Sequence, residues 1–397
     1  MKISFVTGDD LAVNPRVRSH ARALAAAGHR VTVFGVQSRG TEPEEDEAGV
    51  VYVRVRAPAA PRRGLLASLR LRNWFERFRG VVDAAVRRER PEAIHAHDLD
   101  VALPASEAAR ALGVPFVYDV ARAPYSDRLA EELPPGTGTR AMRGVRLRAE
   151  ALEMLVRRGA AATLADSESL AEHLVRTYGG PRPAVVRTLP PFRPPQARGG
   201  LRRAAGATSR DRLLVLLGPL EAGCGVDTAV RALRILGARH LLVLLGCAPR
   251  LAAFERAAEA AGVAAQVRFV PPAPEDELLR LASSADVALV PTEPTTAANR
   301  LGVPARLWTS LAAGLPVVAA DTPEAAAVVR ATGAGVLYPA RAPQDPAALA
   351  EAVHTLLADG SLRATCAEAA RTAARDVLNW ERESVRLVDV YDAIESG

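Results

Sequence analysis

The chain has 397 residues, 49% hydrophobic and 24% charged, which fits a globular protein of two or three domains. Aromatic residues are only 4%, which argues against a base-stacking nucleic-acid surface. No apolar run approaches the roughly 18 residues needed to span a bilayer. The net charge is +6, and Lys2 is the sole lysine. Arginine this dominant beside so much alanine reads first as the codon bias of a G+C-rich genome. A basic surface for phosphate or for peripheral contact with an anionic membrane is the second reading, and 140–158 is its most basic stretch. The three cysteines, Cys224, Cys247 and Cys366, are odd in number and widely spaced, which disfavours a disulfide framework or a zinc site. The first residues enter a strand without the apolar stretch and small-residue cleavage site of a signal peptide, so a cytoplasmic location is expected.

In chain order, short β-rich runs at 3–7, 31–36, 50–55, 93–97, 116–119 and 161–165 predict strands. Helical patterns lie among them at 15–27, 69–88, 101–112, 143–158 and 167–178, and Gly28 ends the first. Such alternation implies parallel strands joined by right-handed crossovers. The run at 189–200 holds four prolines and two glycines and reads as an interdomain linker. Alternation then resumes, with strands at 213–217, 241–245, 267–270, 287–290, 317–319 and 335–337. Helices are expected at 226–236, 251–261, 275–283, 305–313, 346–358 and 362–374, with a closing helix at 380–394. Two Rossmann-like halves predict an α/β fold with a cleft between domains, and ligands bind at the carboxyl ends of such strands. The first strand is followed by Thr7-Gly8-Asp9-Asp10, not by a GxGxxG loop, which weakens a dinucleotide reading.

Several segments narrow the choice. The run PRVRSHARALAAAGHRV at 15–31 resembles the first helix of family 4 glycosyltransferases. PEAIHAHD at 91–98 and GVPFVYD at 113–119 resemble their fourth and fifth strands, and ADSESLAEHL at 165–174 is similar to the segment before their linker. ADVALVPT at 285–292 and VPARLWTSLAAGLPVV at 303–318 resemble their donor-binding strand, loop and helix, and Trp380-Glu381 their final helix. The resemblance covers nearly the whole chain and implies the GT-B architecture, two Rossmann-like domains facing each other across a cleft. It implies an acceptor-side domain over 1–195, a nucleotide-sugar domain over 205–378, and a helix at 379–395 returning to the first. It further implies sugar transfer from a nucleotide diphosphate-sugar to an acceptor, with retention and without a metal or other cofactor. Such chemistry needs cations or backbone N–H groups where negative charge grows on the departing diphosphate.

The chain departs from the family at four places. Ala121 stands where a His follows the fifth strand, so no catalytic residue is assigned. Pro219 and Cys224 stand where two basic residues grip the diphosphate, and Thr309 where a Glu holds the ribose. Three readings stay open: a shifted alignment of the glycine-rich loop, a diverged working site, or an inactive auxiliary subunit needing a partner glycosyltransferase. A homodimer is also open, and a periplasmic-type binding protein is a disfavoured third class.

Within Gly218–Gly225 and 299–309, Gly218, Gly225, Arg300, Gly302, Arg306 and Thr309 are the donor-binding candidates. A helix start there offers free N–H groups, and arginine forks suit phosphate oxygens. Each of the two arginines has a plain alternative, Arg300 as a solvated loop residue and Arg306 as a surface residue on the helix. Arg16, His97, Asp98 and Asp119 are the acceptor-side candidates. His95 and His97 share a strand face and either line the cleft or form a structural pair, with no further metal ligand evident. Arg16 either holds a phosphate or pairs with Asp9 or Asp10. Cys224 reads as a small filler more readily than as a reactive thiol.

Overall fold

A computed structural model describes residues 1–10, 14–37, 41–56, 67–121, 123–124, 127, 139–194, 199–221, 223–247, 249–341 and 344–396. The chain divides into two units of contacting residues, Met1–Thr188 with Glu383–Gly397, and Leu189–Arg382.

Unit 1 is built on β1 (Lys2–Asp10), β2 (Arg30–Val36), β3 (Glu44–Glu47), β4 (Val50–Val55), β5 (Ala93–His97), β6 (Phe116–Val120), β7 (Ala162–Ala165) and β8 (Ala184–Val185). They form one sheet in the order β3-β4-β2-β1-β5-β6-β7-β8, and only β3 runs antiparallel to its neighbour. Strands β5 and β6 are buried at every residue, as central parallel strands covered on both faces must be. The helices are α1 (Pro15–Ala26), α2 (Ala67–Glu89), α3 (Leu99–Leu112), α4 (Thr139–Gly159) and α5 (Glu168–Tyr178). Helix α1 starts where the Asn14 side chain accepts from the Val17 N–H and Pro15 opens the first turn. The edge strand β3 has no apolar residue, and periodicity gave no sign of it. Its acids are held by arginines, Arg88 on Glu44 and both Arg18 and Arg54 on Glu45.

Unit 2 contains α6 (Leu201–Ala204), β9 (Arg212–Leu217), α7 (Val226–Leu236), β10 (His240–Leu245), α8 (Leu251–Ala260), β11 (Val267–Val270), α9 (Glu275–Ala282) and β12 (Val287–Val290). It continues with α10 (Ala297–Leu301), α11 (Ala305–Ala312), β13 (Val317–Ala320), α12 (Pro323–Thr332), β14 (Gly335–Tyr338), α13 (Pro346–Ala358) and α14 (Gly360–Asp376). The sheet order is β11-β10-β9-β12-β13-β14, all parallel. The period of two along β9 divides its side chains: Leu214 and Leu216 join one core layer, Leu213, Val215 and Leu217 the other. Helices α10 and α12 were not anticipated. The first is a single turn capped by Thr296, and the second is mostly alanine and valine with little amphipathic contrast. Helix α14 begins earlier than expected because Asp359 accepts from both Ser361 N and Leu362 N.

The closing helix α15 (Trp380–Ser396) begins in unit 2 and ends in unit 1, where the Tyr391 hydroxyl lies 2.8 Å from His95 Nδ1.

Candidate functional site

In unit 1 the carboxyl ends of β1, β5 and β6 gather a buried polar cluster around Asp119. Arg16 donates from Nε to Asp119 Oδ2 at 2.9 Å and from Nη2 to Oδ1 at 2.6 Å. Its remaining nitrogen donates to the Val186 carbonyl at 2.6 Å and the Thr188 hydroxyl at 3.2 Å. His97 Nδ1 lies 3.1 Å from Asp119 Oδ2, with His95 Nε2 and His20 Nδ1 each 3.7 Å away. Burial works against ionising Asp119, but the Arg16 guanidinium and the surrounding imidazoles outweigh it and hold the carboxyl well below its usual range. The histidines diverge. Burial, reinforced by Arg16, pushes His20 well down, and burial also lowers His95. For His97 burial is outweighed by Asp119, Asp98 and Asp9, and its value rises.

Of the acceptor-side candidates, Arg16, His97 and Asp119 are thus buried against one another, and the partner of Arg16 is Asp119. Asp98 differs. It is partly exposed at the turn from β5 into α3, with φ +65°, a conformation rare for a residue with a side chain. Its Oδ1 lies 3.4 Å from the N–H of Ala121. Strain of this kind is concentrated at functional sites. His20, His95 and Asp119 also place three ligand atoms within 4.8 Å of one another, a geometry able to hold a metal ion. The Arg16 fork already engages both Asp119 oxygens, so an ion there would lie beside a buried cation.

In unit 2 the Gly218–Gly225 loop links β9 to α7. Gly225 has φ +80°, and a Cβ there would collide with the Pro291 carbonyl, so the turn into α7 requires glycine. A Cβ at Gly223 would come within 2.8 Å of Asn299 Nδ2, and one at Gly302 within 2.9 Å of the Ala298 carbonyl. The α7 and α11 starts have no side-chain cap, so their first-turn N–H groups have no partner from the capping residue.

Arg306, in the first turn of α11, reaches back across this loop. It donates to the carbonyls of Cys224 at 3.1 Å and Pro219 at 3.2 Å, and to the Thr292 hydroxyl at 3.2 Å. Its Nε is buried without a hydrogen-bond partner, and among the described residues no carboxylate lies within ion-pair distance. Burial lowers its value, yet a guanidinium stays charged. The result is a cation with no ion-paired acid among the described residues, only Glu221 acting on it at longer range, fixed beside two helix N-termini. Arg300 does not join it: it is exposed, and among the described residues its hydrogen-bond partners are the carbonyls of Pro294 and Thr295. Thr309 donates to Ala305 O one turn back, and burial raises the Cys224 thiol, so neither is poised as an ionic group.

Sequence reading picked out the stretch 299–309 but missed the roles of Glu293 and Asn299 after β12 and of Gln344 after β14. Asn299 ties this loop to Gly223 and Glu293 through their carbonyls, and Gln344 accepts from the Tyr338 hydroxyl and donates to Thr292 O. Glu293 Oε1 lies 3.5 Å from the Thr228 hydroxyl. The available signal was the Thr296 cap ahead of Ala297-Ala298-Asn299.

A glycosyl transferase 4-like domain model matches residues 12–191, and a glycosyl transferases group 1 model matches residues 200–373. The chain belongs to this glycosyltransferase family, with the GT-B fold. D-inositol 3-phosphate glycosyltransferase of Xylanimonas cellulosilytica is 28% identical, over 97% of this chain and 92% of its own. Among solved structures, sucrose-phosphate synthase from Thermosynechococcus elongatus has a TM-score of 0.77 at 18% identity, with 100% of both chains covered. Anabaena Alr3699/HepE in complex with UDP-glucose has a TM-score of 0.72 at 16% identity, covering 99% of this chain and 100% of that one. These structural likenesses concern the fold.

Proposed function

We propose that the chain transfers a sugar from a nucleotide diphosphate-sugar to an acceptor, with the diphosphate held in unit 2. The observation that carries this reading is the position of Arg306. The two loop residues aligned with the family's basic groups, Pro219 and Cys224, both direct carbonyls at this one guanidinium. A single cation from α11 thereby serves the loop that lacks its own, and the uncapped N–H groups of α7 and α11 add positive potential. Charge on the departing diphosphate is met by preorganised donors, which makes a metal unnecessary. Retention at the anomeric carbon follows from the family resemblance. Asp98 is the acceptor-side residue we favour, on its exposure and strained backbone. The UDP-glucose bound by Alr3699/HepE supports the donor class.

Hydrogen exchange with UDP, GDP and TDP tests the location. Protection is expected at Gly218–Gly225 and the start of α11; protection confined to unit 1 would reject it. A second reading, an auxiliary subunit acting with an active partner, rests on Thr309 and Ala121, which supply no ionic group. Donor binding without turnover, followed by turnover on adding a partner chain, would favour that reading.

A further inference from the structure

We propose that the outer face of α4 is a docking surface for an anionic membrane. The helix has two unlike sides. Inward, Ala149 and Val156 are buried, and the inner polar groups have protein partners. Glu153 accepts from the Tyr118 hydroxyl at 2.8 Å, and Arg157 donates to the carbonyls of Leu174, Gly179 and Pro181 at 2.7, 2.6 and 2.9 Å. These bonds fix the rotation of the helix and so fix what faces outward.

Outward, Leu147, Ala151 and Leu155 follow one another at intervals of four and form a single stripe. All three are exposed, Leu147 at 56% and Leu155 at 58%. Arg143 continues the stripe one turn earlier, Arg158 closes its other end, and Arg148 flanks it. These three arginines are exposed and have no ion-pair partner among the described residues. Of the helix's two acids, Glu153 is inside, and Glu150, which borders the stripe one turn from Leu147, is paired with Arg146 at 2.8 Å.

The charge complement of this face is a dense negative surface with an apolar layer beneath it. Leucines flanked by three unpaired arginines, with the one neighbouring acid, Glu150, already paired with Arg146, meet that description, because the side chains enter the acyl boundary while the guanidinium groups stay with the lipid phosphates. A protein partner would have to supply an apolar groove rimmed with acids, whereas an anionic bilayer presents both over any length. Among the described residues no helix is long and apolar enough to cross a membrane, so the contact is peripheral.

The test is co-sedimentation of the full chain with vesicles of phosphatidylcholine containing phosphatidylglycerol, and with vesicles of phosphatidylcholine alone. Binding is expected only to the anionic vesicles and should weaken with salt. Each arginine near an anionic surface contributes roughly fivefold in partitioning, so Arg143→Glu with Arg148→Glu and Arg158→Glu should lower it at least about 100-fold. Leu147→Ser with Leu155→Ser should lower it by about 10-fold or more. All these side chains are exposed, and unchanged thermal unfolding of the variants confirms that the fold is kept. No binding to anionic vesicles, equal binding to both vesicle types, or unchanged binding by the variants would overturn the proposal. A concentration-dependent dimer abolished by the leucine substitutions would also overturn it, by assigning the face to a second copy of the chain.

Discussion

Two arginines, Arg16 buried and Arg306 partly exposed, have opposite electrostatic settings. Arg16 is neutralised by Asp119, whereas Arg306 is surrounded by carbonyls and has an unpartnered Nε. Replacing Arg306 with Ala is expected to weaken nucleotide diphosphate binding about 10- to 150-fold, the worth of one charge-assisted hydrogen bond of about 1.5–3 kcal/mol. Calorimetric titration measures this, and unchanged affinity would contradict the proposed site. Replacing Asp119 with Ala leaves Arg16 as an uncompensated buried charge, at a cost of about 3–5 kcal/mol in urea unfolding. The same cluster makes stability depend on pH. In the unfolded chain His20 and His95 take up protons near pH 6.5 that their native environments refuse. Each therefore removes up to about 1.4 kcal/mol of stability per pH unit as pH falls below that value. His97 acts oppositely: its contribution is fully present below the unfolded value and is lost as pH rises through the raised native one. The contribution of Asp119 is present above about pH 3.9 and lost as pH falls through its lower native value. Stability measured from about pH 7.5 to about pH 5.5 should fall with acid, and His20→Gln should flatten the slope. A pH-independent result would show that His20 and His95 are not held neutral in the native chain.

At the scale of elements, the loop between β9 and α7 depends on Gly225. Gly225→Ala must strain a left-handed residue and displace the Pro291 carbonyl, at a combined cost of about 2–5 kcal/mol. A thermal midpoint equal to that of the parent chain would show that the turn can rearrange. The strands of this sheet were legible in the sequence because buried parallel strands are short, continuous apolar runs such as RLLVLL and HLLVLL. Strand β3 was not legible because EEDE is ordered by arginines distant in sequence, and β8 is only two residues long. The site was legible in part for the same reason. Glycine and helix-start signals are local and picked out the Gly218–Gly225 loop and α11. The approach of Arg306 to Cys224, 82 residues away, and the closure of Arg16 upon Asp119, 103 away, are long-range pairings without any local sign.

Across the whole molecule, the closing helix carries the chain's end back to unit 1, where Leu387 and Tyr391 are fully buried. Tyr391→Ala removes a large core side chain and the partner of His95, and should cost about 3–5 kcal/mol in urea unfolding; a negligible change would mean that the helix is peripheral to that core. The segments at 15–31, 91–98, 113–119, 165–174, 285–292 and 303–318, met in that order, made the family legible from the sequence, whereas the order of strands, helices and linker alone pointed only to two Rossmann-like domains. The four departures at Ala121, Pro219, Cys224 and Thr309 are local and leave the lineage unaltered, but they bear on the chemistry. The central claim is that unit 2 binds a nucleotide diphosphate-sugar through Arg306 and the glycine-rich loop. Calorimetric titration of the parent chain and of Arg306→Ala with UDP-, GDP- and TDP-sugars tests it most directly. The account predicts saturable one-site binding of at least one donor by the parent chain and a loss of about 10-fold or more in the variant. Failure of every donor to bind, or equal binding by both chains, would contradict it.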